Sequence, residues 1–231
     1  MRTDNMPITA TQMVSECGTY VRTIYDAREA PERNERASVA VKRSGGYERV
    51  QNDWYVEPES VTRRLLAVER PFIGTVLDPC CGQGNAVRAM WGAGLEGADG
   101  CDIAPRLPGA LGGCFTETLP GRMPDSIISN PPYNRAQEMA QLALDCTQDR
   151  VCLFLRLAFL EGKKRSVWLR NSPLARVWIV PDRVACIPGH LLGAPQKKFS
   201  GAIAYAWFVW EHGHHGRPEI GWLPMESSDG A

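Results

Sequence analysis

The chain has 231 residues, 44% hydrophobic and 23% charged, enough for one sizeable α/β domain and little else. Its 26 Lys and Arg balance its 26 Asp and Glu, which argues against a protein that coats nucleic acid through bulk positive charge but leaves room for a local basic face. No apolar run reaches transmembrane length and the N-terminus lacks the apolar core of a secretory signal, so a cytoplasmic protein with no membrane partner and 8 reduced cysteines is expected. Cys80 and Cys81 are adjacent rather than spaced as Cys-x-x-Cys, and His212-Gly213-His214-His215 reads as a solvated turn, so no metal site is expected.

Residues 1–52 are polar and broken, with few large apolar groups between Ala27 and Arg43. Such a stretch buries too little surface to offset its ordering entropy, and reads as a flexible arm or a helix that orders on a partner. The ordered domain is expected over 53–215, with 216–231 as a tail. Its first helix follows Pro58, carries Val61, Leu65 and Val68 on one face, and stops at Pro71. Thr75–Asp78 is an apolar strand with an acidic end. Pro79-Cys80-Cys81-Gly82-Gln83-Gly84-Asn85 then makes a glycine turn and a helix start, where the backbone can approach a ligand and free N–H groups point outward. That helix holds Val87, Met90 and Trp91 and ends at Gly92 or Gly94. Gly100-Cys101-Asp102-Ile103 is a second strand end with a carboxylate, about twenty-four residues after Asp78, where doubly wound nucleotide folds place a ribose-binding acid. Residues 105–124 are rich in Pro and Gly, with a short strand expected around Cys114-Phe115-Thr116.

Asp125–Ser129 reads as a short buried strand running straight into Asn130-Pro131-Pro132-Tyr133. Two prolines end the strand and stiffen the corner. The corner offers an amide oxygen, fixed carbonyls and a flat ring, which suits a planar target carrying an NH2 group. Asn134 and Gln137 are spaced as a capping box for a helix burying Ala136, Met139, Ala140, Ala143 and Cys146. Strands are expected at Val151–Leu157, Arg176–Val180 and Ala202–Trp210, with a basic helix around Glu161–Arg170. Alternating strands and helices predict a largely parallel sheet with its ligands at the carboxyl ends of the strands, which brings Asp78, Asp102 and Asn130 to one rim.

In this order and spacing, Asp78 to Asn85, Asp102 and Ser129 to Tyr133 resemble the class I S-adenosylmethionine-dependent methyltransferases, most of all the amino-methyltransferases with an Asn-Pro-Pro-Tyr motif. The resemblance covers about residues 54–211. It implies an α/β, Rossmann-like sheet of seven mostly parallel strands, the last antiparallel, with helices on both faces. It implies S-adenosyl-L-methionine as cofactor, held by Asp78, Pro79, Cys80, Gly82, Gly84, Asn85, Asp102, Ile103 and Asn130. In that reading Asp78 contacts the methionine amino end, directly or through water, and Asp102 accepts from the ribose hydroxyls. The catalytic set implied is Asn130, Pro131, Pro132 and Tyr133, the first two accepting the amine's hydrogens and Tyr133 stacking on the base.

The acceptor implied first is the N6 amine of adenine in DNA. The alternatives are adenine in RNA, a protein glutamine, or a catalytically silent cofactor-binding module that binds nucleic acid. Glutamine enzymes of this type usually carry an apolar helical N-terminal domain, for which residues 1–52 are too short and too polar. Candidate phosphate contacts are Arg63, Arg64, Lys163, Lys164, Arg165, Arg170, Lys197 and Lys198, and the loop 188–200 is expected to face the substrate. With no evident recognition domain, the target is read by short loops and the N-terminal arm, or loosely, or with another subunit. The oligomeric state stays open.

Overall fold

A computed structural model describes residues 53–193 and 203–225, so the expectations for 1–52 and for Lys197 and Lys198 lie outside the described residues. In chain order the elements are β1 (Tyr55–Val56), α1 (Glu59–Val68), β2 (Val76–Asp78), α2 (Asn85–Gly92), β3 (Asp99–Asp102), β4 (Leu111–Gly112), α3 (Phe115–Arg122), β5 (Ser126–Ser129), α4 (Ala136–Cys146), β6 (Arg150–Arg156), α5 (Lys163–Asn171), β7 (Leu174–Ile179), β8 (Ile187–Pro188), β9 (Tyr205–Glu211) and β10 (Glu219–Trp222). Eight strands form one sheet in the order β10-β7-β9-β6-β5-β2-β3-β4. Within it β9 runs antiparallel to β6 and β7, and the other pairings are parallel. β1 and β8 form a separate antiparallel ribbon, with Tyr55 opposite Pro188 and Val56 opposite Ile187.

The central strands are apolar on both faces because both faces are covered. On β6, Cys152 and Phe154 point one way and Val151, Leu153 and Leu155 the other, and all are buried. α1 and α2 cover the first face, where Val61, Leu65, Val87 and Met90 join Cys152, Phe154 and Trp207 in one core. Trp207 on β9 donates its indole N–H to the Val61 carbonyl at 3.0 Å. α4 and α5 cover the second face, joined by a bond from the Trp168 indole to Gln141 at 2.8 Å, and α3 packs beside α4. Parallel register sets Leu77 beside Ile127 and Asp78 beside Gly100. The carboxyl ends of β2, β3 and β5 therefore share one rim, as the alternation predicts.

The structure corrects the sequence reading at three places. The sheet has eight strands rather than seven, because Glu219–Trp222, in the expected tail, pairs with β7. Its central Gly221 is what lets it dock: a Cβ there would lie 2.3 Å from the Trp178 ring. Phe115 begins a helix rather than lying in a strand, since Phe115 and Leu119 at i and i+4 are both buried; the short strand is earlier, at Leu111–Gly112. Asn134 caps nothing with its side chain. The two prolines turn the chain so tightly that Tyr133–Arg135 is a 3-10 turn, closed by Arg135 N–H donating to the Pro132 carbonyl at 2.9 Å, and α4 starts only at Ala136.

Candidate active site

The rim holds a cavity of about 350 Å³. Its walls come from Trp54–Glu57, from the glycine turn, from the end of β3 and from Asn130. Of the residues named from sequence, Pro79, Cys80, Gly82, Asn85, Asp102, Ile103, Asn130 and Pro132 line it. Asp78, Gly84, Pro131 and Tyr133 stand outside the lining.

The two strand-end carboxylates shape the turn. Asp102 Oδ2 accepts from the Gly82 N–H at 2.9 Å and Oδ1 from the Ala104 N–H at 2.8 Å. Asp78, only 2% exposed, accepts from the Cys80 N–H at 3.1 Å and the Ser129 hydroxyl at 2.7 Å, so it ties β2 to β5. It therefore stands behind the cavity wall rather than in its lining. Gly82 and Gly84 have φ of +49° and +84°, conformations that other L-residues rarely adopt. A Cβ on Gly84 would also lie 2.6 Å from Leu107.

Asn130 is held in one orientation. Its Nδ2 donates to the Tyr55 carbonyl at 3.0 Å and to Glu57 Oε2 at 2.6 Å, two acceptors that only an NH2 group can satisfy. The Oδ1 atom is thereby turned the other way, buried and without a partner among the described residues. A buried acceptor left unmatched is costly unless a ligand completes it.

Glu57 was not legible as a site residue, because an acid beside Pro58 reads as ordinary helix N-terminal decoration. It is 7% exposed, and its own carbonyl accepts from Asn85 Nδ2 at 2.7 Å. Burial pushes its carboxyl up to about 7 against the pull of its hydrogen bonds, and burial together with the nearby Glu57 pushes Asp78 up to about 8. Both folded values lie above those of an unfolded chain, so the folded protein retains protons that the unfolded chain releases. The stability tied to these groups is full below the ordinary carboxylate range of about 4 and is lost as pH rises through 7 and 8. Thermal melts of the ligand-free protein should therefore fall from pH 6 to pH 8.5, and Glu57→Gln should flatten the fall. An unaltered slope in that variant would remove Glu57 from the account.

Tyr133, expected from sequence to stack on the base, has its ring in contact with three other side chains. Its ring stacks on Tyr55 at 6.2 Å, tilts against Tyr205 at 6.1 Å and carries the Arg156 guanidinium 4.9 Å above it. Its hydroxyl donates to Cys186 Sγ at 3.7 Å. Trp54 is likewise fixed, with the Arg106 guanidinium 3.5 Å from its ring centre and Gly189 so close that any Cβ would lie 2.1 Å from the indole. The Trp54 indole N–H is buried without a partner among the described residues, on the side of Gly82.

The candidate phosphate contacts divide cleanly. Arg63 and Arg64 are engaged by Glu59 and Asp182, which neutralise them. Lys163, Lys164, Arg165 and Arg170 have no carboxylate partner among the described residues.

No protein-family profile and no curated protein sequence matches the chain. Among solved structures it is similar to a protein assigned as the modification subunit of a type I restriction enzyme from Vibrio vulnificus, with 14% identity and a TM-score of 0.50, covering 96% of this chain and 54% of that one. It is also similar to a protein assigned as a class I S-adenosylmethionine-dependent methyltransferase from Listeria monocytogenes, with 13% identity and a TM-score of 0.51, covering 92% of this chain and 73% of that one. The chain thus spans about half the length of the first of these neighbours. Together with the strand order, these likenesses give the chain the Rossmann-like fold of the class I methyltransferases, a mostly parallel sheet flanked by helices.

Proposed function

We propose that this protein transfers a methyl group from S-adenosyl-L-methionine to an exocyclic amine, with N6 of adenine in DNA as the acceptor. The observation that carries the reading is Asn130 Oδ1, a buried hydrogen-bond acceptor with fixed direction and nothing to accept. The cofactor fits the cavity on three counts. The volume falls in the range of small-molecule sites. The glycine turn lets the backbone come close. The orphaned Trp54 N–H supplies a donor near Gly82 for an anionic end. Trp54, Pro79, Cys80, Gly82, Asn85, Asp102 and Ile103 would hold it, with Asp102 facing the ribose hydroxyls through its remaining lone pairs. When bound, S-adenosyl-L-methionine supplies an electrophilic methyl group on sulfur.

The protein's own work lies on the acceptor. An aryl amine is a poor nucleophile because its lone pair is delocalised into the ring. Asn130 Oδ1 and the Pro131 carbonyl accept its two hydrogens, which favours a pyramidal nitrogen and stabilises the positive charge that develops there, and one of those hydrogens then leaves the methylated nitrogen as a proton to solvent. Glu57, when ionised, holds the amide in place and adds negative potential behind it. Holding nitrogen, carbon and sulfur in line supplies much of the rest. A base within a duplex cannot reach this rim and must be flipped out. Likeness of fold to a restriction-system modification subunit and the unpaired cations after β6 favour DNA over a protein acceptor. A recognition subunit or loop outside the described residues would select the site.

The test is methyl transfer from labelled cofactor to unmethylated DNA, RNA and protein in parallel, followed by digestion. Label in N6-methyldeoxyadenosine is the expected result. Label confined to RNA or to glutamine moves the acceptor, and no label from cofactor-loaded protein overturns catalysis in favour of a silent binding module.

A further inference from the structure

We infer that Arg156 is the group that admits the acceptor nucleotide and then binds its phosphate, so that the acceptor site is built for a phosphodiester chain. The inference rests on the reading of Asn130 as the amine acceptor and deepens it. Arg156 is the last residue of β6 and the exposed end of a strand that is otherwise wholly buried. β6 lies parallel to β5, with Leu153 beside Ser129, so Arg156 stands at the same rim as Asn130, one side from the cavity.

Two observations bear on it. The first is its neutralisation, or lack of it. This protein has no net charge, and Arg64, Arg88, Arg135, Arg150 and Arg176 each bind a carboxylate. Among the described residues no carboxylate pairs with Arg156; its contact is the ring of Tyr133. The second is what that contact covers. Tyr133 already packs on Tyr55 and Tyr205, and the guanidinium lies over the ring where an incoming base would stack. A base can take that place only if the guanidinium leaves it. An exposed cation-π contact is weak enough to be given up. The nearest new anion would be the phosphate of the nucleotide that displaced it, and a guanidinium matches phosphate with a two-pronged hydrogen bond. The chain continues from Arg156 through a 3-10 turn at Leu157–Leu160 into Lys163-Lys164-Arg165, the first turn of α5. Cations there oppose the helix dipole, and no acid lies in that turn to balance them. Charges kept against local preference suit an extended anion running past the rim.

The test uses the full chain loaded with cofactor and a single-stranded oligodeoxynucleotide as probe. Affinity by anisotropy is measured against salt for wild type, Arg156→Ala and Arg156→Lys, with KM and kcat for transfer and cofactor affinity beside them. Arg156→Ala should weaken oligonucleotide binding by about 10- to 100-fold and raise KM, with the salt slope reduced by about one released ion. Cofactor affinity and melting temperature should stay as in wild type. Arg156→Lys should restore the salt slope but not the full affinity, because an ammonium is a point charge. Lys163→Glu should likewise weaken oligonucleotide binding and reduce the salt slope. Wild-type affinity and salt slope in Arg156→Ala would overturn the inference. Should wild type bind the oligonucleotide and transfer no methyl group, the catalytic reading fails, while the comparison of salt slopes still decides Arg156.

Discussion

Asn130→Ala is expected to lower the rate of methyl transfer by about 10²- to 10³-fold or more while cofactor affinity changes by no more than a few-fold. Among the described residues the side chain hydrogen-bonds through its NH2 group, which donates to Tyr55 and Glu57. The opposite atom, Oδ1, has no structural duty among the described residues. Truncation deletes the two bonds that orient the side chain and, with them, the one atom aimed at the acceptor, so the loss in transfer should fall mainly on kcat. Single-turnover transfer and calorimetric cofactor titration separate the two quantities. Unchanged turnover would end the mechanism proposed here, and a collapse of cofactor affinity would reassign Asn130 to the cofactor.

Arg150→Ala should be the most destabilising of the single substitutions considered, at about 3–5 kcal/mol. Arg150 begins β6, at the opposite end of the strand from Arg156, and is 0% exposed. Its guanidinium donates to Glu69 at 2.9 Å and to the carbonyls of Arg70 and Pro71 at 2.8 Å, and lies 3.8 Å from the centre of the Phe72 ring. It thus fastens the chain just after α1 to the middle of the sheet. Glu69, also accepting from Arg176 and Trp178, would be left buried with one cation fewer. The energy of such a cluster lies in its completeness rather than its charge, so Arg150→Met with Glu69→Gln should be less destabilising than the sum of the two singles. Urea unfolding of the set measures this. Additive losses would show that the charges act independently.

What was legible in the sequence was what has a local signature. β5 reads directly from a short apolar run ended by two prolines, and its observed bounds, Ser126–Ser129, fall within one residue of the expected Asp125–Ser129. The glycine turn and the acids at the ends of β2 and β3 were legible for the same reason, and the parallel sheet then puts them together. Tertiary partners have no such signature. Nothing local separates Glu57, buried against Asn130, from Glu59, which sits half-buried on α1 beside Arg63 and Arg88. Nothing local marks Arg156 as lacking a carboxylate partner among the described residues and Arg64 as paired with Asp182, more than a hundred residues away in the chain. β10 was missed because its fit depends on Trp178, a residue of another strand. The packing around Tyr133 was not legible for the same reason, since its neighbours Tyr55 and Tyr205 come from distant segments.

The ribbon of β1 and β8 has a thermodynamic consequence. Within four residues, Trp54 and Glu57 face the cavity, the Tyr55 carbonyl holds Asn130, and the Tyr55 ring lies on Tyr133. The same segment is pinned to β8 and, through the Trp54 carbonyl, to the Gly189 N–H at 3.0 Å. Filling the cavity and engaging the acceptor corner therefore act on one short piece of backbone. Two ligands that order the same segment share its entropic cost, so each should raise the other's affinity by the same factor. On the proposed function, cofactor and acceptor are therefore expected to bind cooperatively, as titration of each in the presence of the other would show.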